Sequence, residues 1–302
     1  MAQEPVKYEP LSPLTPQLHH YEAFINSGRL VPVGTRSSVC RYLKALWRYR
    51  GFVWHHSRFK VQTSNNSNRL GSAWLVLRPL MDVLFYWALF GLILKVDRGM
   101  QNYPAFVIIG ILMFQFTSTA LNGSARVIQQ NKSLINAFNF PRIVSPLSMM
   151  LKLTLETLPV IAVMFISLIL APPHALPLVT WVLFIPIFIL QCVFNLGIIL
   201  VVSRIGYVFP DIQPLISFAT RFLLYGSGVI FPITNFINHP VILSIIQANP
   251  IYIILDMYRQ ILISGVMPPV NQWITLLAWA FGLSIFGFFF FWRAEERYGA
   301  ER

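Results

Sequence analysis

Six long apolar segments dominate this sequence, and they restrict the chain to folds that sit in a lipid bilayer. A helix needs about 20 apolar residues to cross the hydrocarbon core. Only 11% of the 302 residues are charged, whereas soluble domains average about a quarter. We therefore predict an all-α polytopic membrane protein with six transmembrane helices. The predicted spans are Trp74–Leu94, Pro104–Leu121, Ser145–Leu170, Leu178–Val202, Leu215–Phe231 and Trp273–Trp292.

Positive charges gather on one predicted side of the membrane. Ten lysines and arginines precede the first span, and others lie between spans two and three and after the last span. Basic residues concentrate in cytoplasmic loops, so both termini are predicted to be cytoplasmic in a multi-pass protein of the plasma (inner) membrane. This distribution accounts for the net charge of +12 without nucleic-acid binding. The predicted outer side carries only Lys95, Arg98 and Arg259.

The residues before the first span divide into two regions. Residues 1–35 contain five prolines and little periodicity, which is typical of a flexible cytoplasmic extension. Residues 36–69 contain a basic amphipathic helix with aromatic anchors, predicted to lie along the membrane surface. An ordinary packed soluble helix is the alternative. The residues predicted to make the membrane contact are Arg41, Lys44, Trp47 and Arg48.

An apolar stretch on the predicted outer side, Val241–Ile263, is too interrupted to be a seventh span. Proline preceded by asparagine favours a turn at Asn249-Pro250, and Asp256 and Arg259 place charges in the second half. We predict two short helices that dip into the outer leaflet. This keeps an even number of spans between two cytoplasmic termini.

A short amphipathic segment joins spans two and three on the predicted cytoplasmic side. Its helix is predicted to end before Pro141, because proline disfavours the helical conformation at the preceding Phe140. Arg142 then anchors the chain at the lipid headgroups. Such a helix suits a groove on a soluble partner, and a plain interfacial loop helix is the alternative. Its apolar face consists of Val127, Leu134, Ile135 and Phe138.

Several stretches resemble, in chain order, the permease subunits of type-2 ABC exporters, and within them the polysaccharide and teichoic-acid class. The stretches are RLGSAWLVLRPLMDVLFYWALFGLIL, YPAFVIIGILMFQF, NKSLINAFNFPRIVSP, NPIYIILDMYRQILISG and FFFFWRAEERYG. The resemblance implies a coupling helix at Asn131–Phe140 that docks on an ATPase subunit, an interface helix at Arg41–Lys60, and a permease domain over residues 70–302. The coupling residues that it implies are Asn131, Leu134, Ile135, Phe138, Phe140, Pro141 and Arg142.

The resemblance also implies the partners. The chain has no G-x-x-x-x-G-K motif and so lacks a P-loop for nucleotide phosphates; we expect ATP and Mg²⁺ on a separate ABC ATPase subunit. No catalytic residue, metal or cofactor is expected in this chain, because its adjacent histidines point to different helix faces and make poor metal sites. A homodimer is expected, since one six-span protomer is too small to enclose a glycan path. One departure is Phe209-Pro210-Asp211, where these permeases often have Arg-Asp.

A path for sugars should offer aromatic faces with polar tips and few fixed charges. Arg221 lies deep in span five without a local partner and is predicted to face the channel or a buried partner. The pairs Arg78/Asp82 and Lys152/Glu156 are each spaced to pair along one helix. Part of the aromatic set belongs to the ordinary interfacial girdle. The predicted channel residues are Phe85, Tyr86, Trp87, Phe90, Phe114, Phe116, Arg221, Tyr225 and Phe231.

Three functions compete on the sequence. The resemblance favours a permease that exports a lipid-linked cell-surface polysaccharide. A galactan-like glycan is expected because the long basic N-terminal region is similar to that of actinobacterial members, with teichoic acid and O-antigen as the alternatives. A membrane glycosyltransferase acting on polyprenyl-phosphate-linked sugars is the alternative, but it needs interfacial acids, and the predicted cytoplasmic side offers little beyond Asp211 and the last glutamates. An ion-coupled transporter would need inverted repeats or paired broken helices. The expected partners are a second copy, an ATPase, the lipid-linked polysaccharide and membrane lipids.

Overall fold

The computed structural model describes residues 38–63, 71–89, 102–137, 140–170, 179–233, 239–295 and 298. Within these ranges the chain forms helices and no strand, in agreement with the all-α prediction. The predicted flexible extension, residues 1–35, lies outside the described residues. The helices are α1 Val39–Arg48, α2 Arg50–Thr63, α3 Trp74–Trp87, α4 Tyr103–Ser124, α5 Val127–Gln130, α6 Lys132–Ala137, α7 Val144–Leu170, α8 Phe184–Val208, α9 Gln213–Gly226, α10 Pro240–Gln247, α11 Pro250–Arg259 and α12 Val270–Trp292.

Four helical segments in the described part of the chain are long and apolar enough to cross a membrane. They coincide with predicted spans two, three, four and six, because an uninterrupted apolar run of this length is a strong signal. The fourth span begins with a short 3₁₀ turn that continues into α8. The four segments are Tyr103–Ser124, Val144–Leu170, Val179–Val208 and Val270–Trp292.

The first and fifth predicted spans correspond to shorter helices. The first is described only to residue 89, so Phe90 lies outside the described residues. The fifth, α9, has 14 residues and is about 21 Å long, whereas the hydrocarbon core is about 30 Å thick. This corrects the predicted span Leu215–Phe231, because the helix ends at Gly226 and the next residues turn away through Gly228, whose φ is +63°.

One buried arginine holds the non-helical backbone that follows α9. Arg259, at the end of α11, is 6% exposed. It donates from Nη1 to the carbonyl of Gly228 at 2.9 Å and from Nη2 to that of Val229 at 2.8 Å. Its guanidinium carbon also lies 3.4 Å from the ring centroid of Phe106. Irregular backbone is tolerated at membrane depth only where protein groups satisfy it, so Arg259 lets the chain leave the helix early.

Small residues bring α8 and α12 into close contact. A Cβ atom on Gly287 would lie 2.9 Å from the carbonyl oxygen of Gly197. Ser284 adds a hydrogen bond from its Oγ to the carbonyl of Val193 at 2.5 Å. Close approach of small residues with an added hydrogen bond is a common way for helices to associate in lipid.

The stretch Val241–Ile263 is broken where the sequence predicted. Helix α10 ends before Asn249, and α11 begins at Pro250. The Asn249 side chain accepts a 3.0 Å hydrogen bond from the backbone N–H of Ile251 and so caps α11. The prediction of two short helices is therefore confirmed.

Candidate functional site

The predicted coupling segment forms a bent pair of short helices, α5 and α6, that meet at Asn131. Asn131 is 5% exposed. Its Nδ2 donates to the Val127 carbonyl at 2.6 Å, and its Oδ1 accepts from Lys60 Nζ at 2.8 Å. Burial, with the nearby positive charge of Lys152, lowers the pKa of Lys60. Asn131 therefore fastens the segment to α2, the second interface helix.

The apolar side of α6 faces the rest of the chain. Ile135 is 7% exposed and Leu134 is partly buried against the same cluster of side chains. Of the α6 residues whose side chains the structure describes, Lys132 and Ser133 are exposed, while Phe138 lies outside the described residues. A helix this short is stabilised by burying its apolar face, so the side chain that the sequence assigned to a partner's groove at Ile135 is used internally. The described surface of α6 offers Lys132 and Ser133 to a partner.

The end of the coupling segment packs against the interface helices. Phe140 is 8% exposed, and its ring centroid lies 5.5 Å from that of Phe52 and 6.1 Å from that of Tyr49. Pro141 and Arg142 are half-buried. Aromatic contacts of this geometry add to the area they bury, so the segment has a fixed point at each end.

Glu295 completes this anchor, and sequence reasoning did not find it. Its carboxylate accepts a 2.7 Å hydrogen bond from the Tyr42 hydroxyl and a 2.8 Å bond from the backbone N–H of Arg142. The carboxylate is 6% exposed; burial raises the pKa of Glu295, and the two bonds oppose that shift. Burial and the charge of Glu295 together raise the pKa of Tyr42. The only signal in the sequence was an acid placed directly after a span.

The predicted interface helix is two helices rather than one. Helices α1 and α2 meet at Tyr49, which corrects the single helix expected over Arg41–Lys60. The four residues predicted to contact the membrane are all exposed, and Trp47 is 71% exposed. Tyr42 on the opposite side is buried. The amphipathic division of α1 follows the sequence pattern.

The predicted channel residues fall into three groups. Phe85, Trp87, Arg221 and Tyr225 are exposed on α3 and α9, two helices that both pack on α4. Tyr86 and Phe231 are half-buried. Phe114 and Phe116 are 5% and 4% exposed, and Phe116 stacks on Phe188 with centroids 5.5 Å apart. The structure therefore does not place Phe114 with the exposed members.

Helix α9 has its polar side inward and its apolar side outward. Asn122 of α4 donates to Thr220 Oγ1 at 3.0 Å and accepts from Ser217 Oγ at 3.1 Å, and its carbonyl accepts from Gln213 at 3.2 Å. The opposite face exposes large apolar side chains, which suits contact with lipid or with another protein. These side chains are Leu215, Phe218, Phe222 and Tyr225.

A charged cavity lies between α3, α4 and α7. Its volume is about 570 Å³. Arg78 and Asp82 of α3 line one side, and Lys152 and Glu156 of α7 line the other, with Lys152 Nζ 3.2 Å from Glu156 Oε1. The two pairs that the sequence treated as separate thus share one space. The remaining polar lining consists of Gln115, Thr119 and Thr157.

Comparisons with known proteins match most of this region. A family model described as ABC-2 type transporter matches residues 58–263. The chain is 23% identical over 249 residues to the O-antigen export system permease protein RfbA of Myxococcus xanthus, covering 80% of this chain and 91% of that protein. It is 26% identical over 202 residues to RfbA of Klebsiella pneumoniae, covering 67% and 76%. It is 27% identical over 216 residues to the polysialic acid transport protein KpsM of Escherichia coli, covering 68% and 79%. The family match includes the coupling segment and the charged cavity.

Proposed function

Because the chain belongs to the ABC-2 type transporter family, we propose that it is the transmembrane permease of an ATP-driven exporter of a lipid-linked cell-surface polysaccharide. The relatives are named for the export of O-antigen and the transport of polysialic acid, which supports a glycan as substrate. A galactan-like glycan is the finer assignment, and it rests on the sequence resemblance alone. The chain supplies the membrane path, and ATP and Mg²⁺ bind to a separate ATPase subunit.

The anchored coupling segment is the observation that carries this proposal. Asn131 ties it to α2, and the Arg142 backbone ties it to Glu295. Between these points α6 exposes Lys132 and Ser133. The segment is fixed at both ends and exposed in the middle. A movement of a docked subunit can therefore be transmitted through it to the membrane helices as rigid-body motion. We propose that Lys132 and Ser133 contribute to the docking surface, since Ile135 of the predicted apolar face is buried within the chain.

The outward apolar faces of α3 and α9 support a homodimer. Helix α9 exposes Phe218 and Phe222 at 68% and 71%, and α3 exposes Leu84 and Phe85 at 55% and 60%. One protomer does not surround a path with these faces, whereas two copies related by a twofold axis can. The aromatic side chains would then border the glycan route, and Arg221 would lie near its entrance.

The proposed orientation is the one that the distribution of basic residues predicts. The coupling segment would lie in the cytoplasm, where ATP is available, and both termini would lie on that side. The basic residues Arg41, Lys44 and Arg48 would then face anionic headgroups of the inner leaflet.

The test is reconstitution with a candidate ABC ATPase subunit taken from the same source organism. Full-length chain and ATPase are expressed together and purified through a tag on the permease alone. The expected result is co-purification, with ATP turnover that depends on the permease and export of lipid-linked glycan in liposomes. An ATPase that neither binds nor changes its turnover would contradict the proposal. Sugar transfer by the purified chain alone would instead favour a glycosyltransferase.

A further inference from the structure

The charged cavity between α3, α4 and α7 carries two positive and two negative side chains in one space. Arg78 and Asp82 come from α3, and Lys152 and Glu156 come from α7. Charges inside membrane helices are costly and mark functional positions unless they pair or reach water. Lys152 and Glu156 pair with each other at 3.2 Å, and their side chains are still 27% and 21% exposed. In the described part of the chain Arg78 forms no ion pair.

The charged residues of the cavity lie between about 6 Å and about 18 Å from one end of their helices, and Glu156 is the deepest, about 18 Å from the start of α7. Counting 1.5 Å per residue, Arg78 and Asp82 lie about 6 Å and about 12 Å from the start of α3. Thr119 lies about 8 Å from the end of α4, and Lys152 lies about 12 Å from the start of α7. These ends are the ones next to the interface helices and the coupling segment. The cavity is thus within reach of lipid headgroups in the leaflet that those elements contact.

The lining determines what kind of ligand the cavity can hold. Its four charges sum to zero. A bound anion would be attracted by the two cationic side chains and repelled by the two carboxylates, and a bound cation would be attracted by the carboxylates and repelled by the cationic side chains. A ligand with both signs meets a partner for each. A primary ammonium has three donors, which Asp82, Glu156 and the Gln115 amide can accept, and a phosphate can accept from Arg78 and Lys152.

We propose that this cavity is a binding site for the headgroup of a zwitterionic phospholipid with a primary ammonium, that is, phosphatidylethanolamine. The phosphate is held by Arg78 and Lys152, and the ammonium by Asp82 and Glu156. Trp74 and Val160 at the cavity wall give the lipid an apolar border. The lipid joins α3 to α7 and is separate from the transported glycan.

The first experiment needs no variant. The full-length chain in mild detergent is titrated with phosphatidylethanolamine, its N-methyl and N,N-dimethyl derivatives, phosphatidylcholine and phosphatidylglycerol of identical acyl chains, and bound lipid is counted by native mass spectrometry. Each methyl group removes one N–H donor, so affinity should fall along the series, by about tenfold from the primary ammonium to phosphatidylcholine. Equal binding of phosphatidylethanolamine and phosphatidylcholine would overturn the proposal.

Tighter binding of phosphatidylglycerol than of phosphatidylethanolamine would also overturn the proposal, because it would show that the cavity is an anion site. The same holds for tighter binding of a polyprenyl diphosphate added as a competitor.

Variants then locate the site. Asp82→Asn combined with Glu156→Gln should abolish the preference for the primary ammonium. The control pair Asp211→Asn with Arg293→Gln, two exposed residues outside the cavity, should keep it. Loss of the preference in both pairs, or in neither, would contradict the assignment.

Discussion

The hydroxyl of Tyr42 lies 2.7 Å from the carboxylate of Glu295, 253 residues further along the chain. The other carboxylate oxygen accepts the backbone N–H of Arg142 at 2.8 Å. One buried acid therefore joins the first interface helix, the end of the coupling segment and the residues after α12. Any motion of the coupling segment has to move these three elements together or break this contact.

Tyr42→Phe should weaken this junction without leaving a cavity. It removes the hydrogen bond to the buried Glu295 carboxylate, and such bonds contribute about 1.5–3 kcal/mol. It also removes the hydroxyl that accepts the backbone N–H of Ile143 at 3.4 Å. We expect the free energy of unfolding to fall by about 2 kcal/mol, measured as a lower melting temperature and denaturation midpoint in detergent. Tyr225→Phe is the control, because Tyr225 is 58% exposed. Equal melting temperatures for the two variants would show that the Tyr42–Glu295 bond contributes nothing.

Glu295 should also make stability depend on pH. Burial raises its pKa in the folded protein above the ordinary value of 4.5. Between these two pKa values the folded protein holds a proton that the unfolded chain releases, so the free energy of unfolding decreases as pH rises through this window. The stabilisation is fully present below about 4.5. Glu295→Gln cannot titrate, and its melting temperature should lack this decline.

The measurement for Glu295 is a pair of melting curves, wild type and Glu295→Gln, taken in steps from pH 4 to neutral in one detergent. Other titrating groups, His56 among them, contribute equally to both proteins. The difference between the two melting temperatures therefore isolates Glu295. Parallel curves over the whole range would contradict the raised pKa.

Local patterns in the sequence were enough to predict much of the fold. Span length predicted the helices that contain Gly110 and Gly287. The turn preference of the Asn249-Pro250 pair predicted the break between α10 and α11. The amphipathic pattern of α1 predicted two different faces, and in the structure Tyr42 is buried and Arg41 is exposed. Each of these features depends on residues within one or two turns of each other.

The contacts that the sequence could not predict join distant residues. Arg259 was counted as a charge on the outer side, but its acceptors are carbonyls 30 and 31 residues away. Backbone carbonyls carry no sequence signature, so a cap of this kind leaves no pattern. Periodicity likewise placed Ile135 on an apolar face, yet it could not tell whether that face meets a partner or the chain itself.

Gly110→Ala should disrupt the cap that Arg259 provides. A Cβ at Gly110 would lie 2.3 Å from the Val229 carbonyl oxygen and 2.4 Å from Arg259 Nη2, so the hydrogen bond between them must be displaced. Overpacking with loss of a charged hydrogen bond should cost about 3 kcal/mol. Gly282→Ala is the matched control in another helix, because nothing lies within 4 Å of its Cβ. The melting temperature should fall only for Gly110→Ala. Equal melting temperatures for the two variants would contradict the stabilising role of the Arg259 hydrogen bonds.

Lys132→Glu and Ile135→Ala should have different effects, although the two residues are only three positions apart on α6. The first should impair docking of the ATPase, and the second should impair folding. Lys132 is exposed, so reversing its charge should leave the melting temperature unchanged while lowering permease-dependent ATP turnover, because it alters only the proposed docking surface. Ile135 is 7% exposed, and its truncation should cost about 2–5 kcal/mol of stability. Arg293→Glu, the same charge reversal at an exposed site outside α6, should leave both quantities unchanged. If Lys132→Glu left ATP turnover at the wild-type value while the ATPase still co-purified, this surface of α6 would not be the contact through which the ATPase acts.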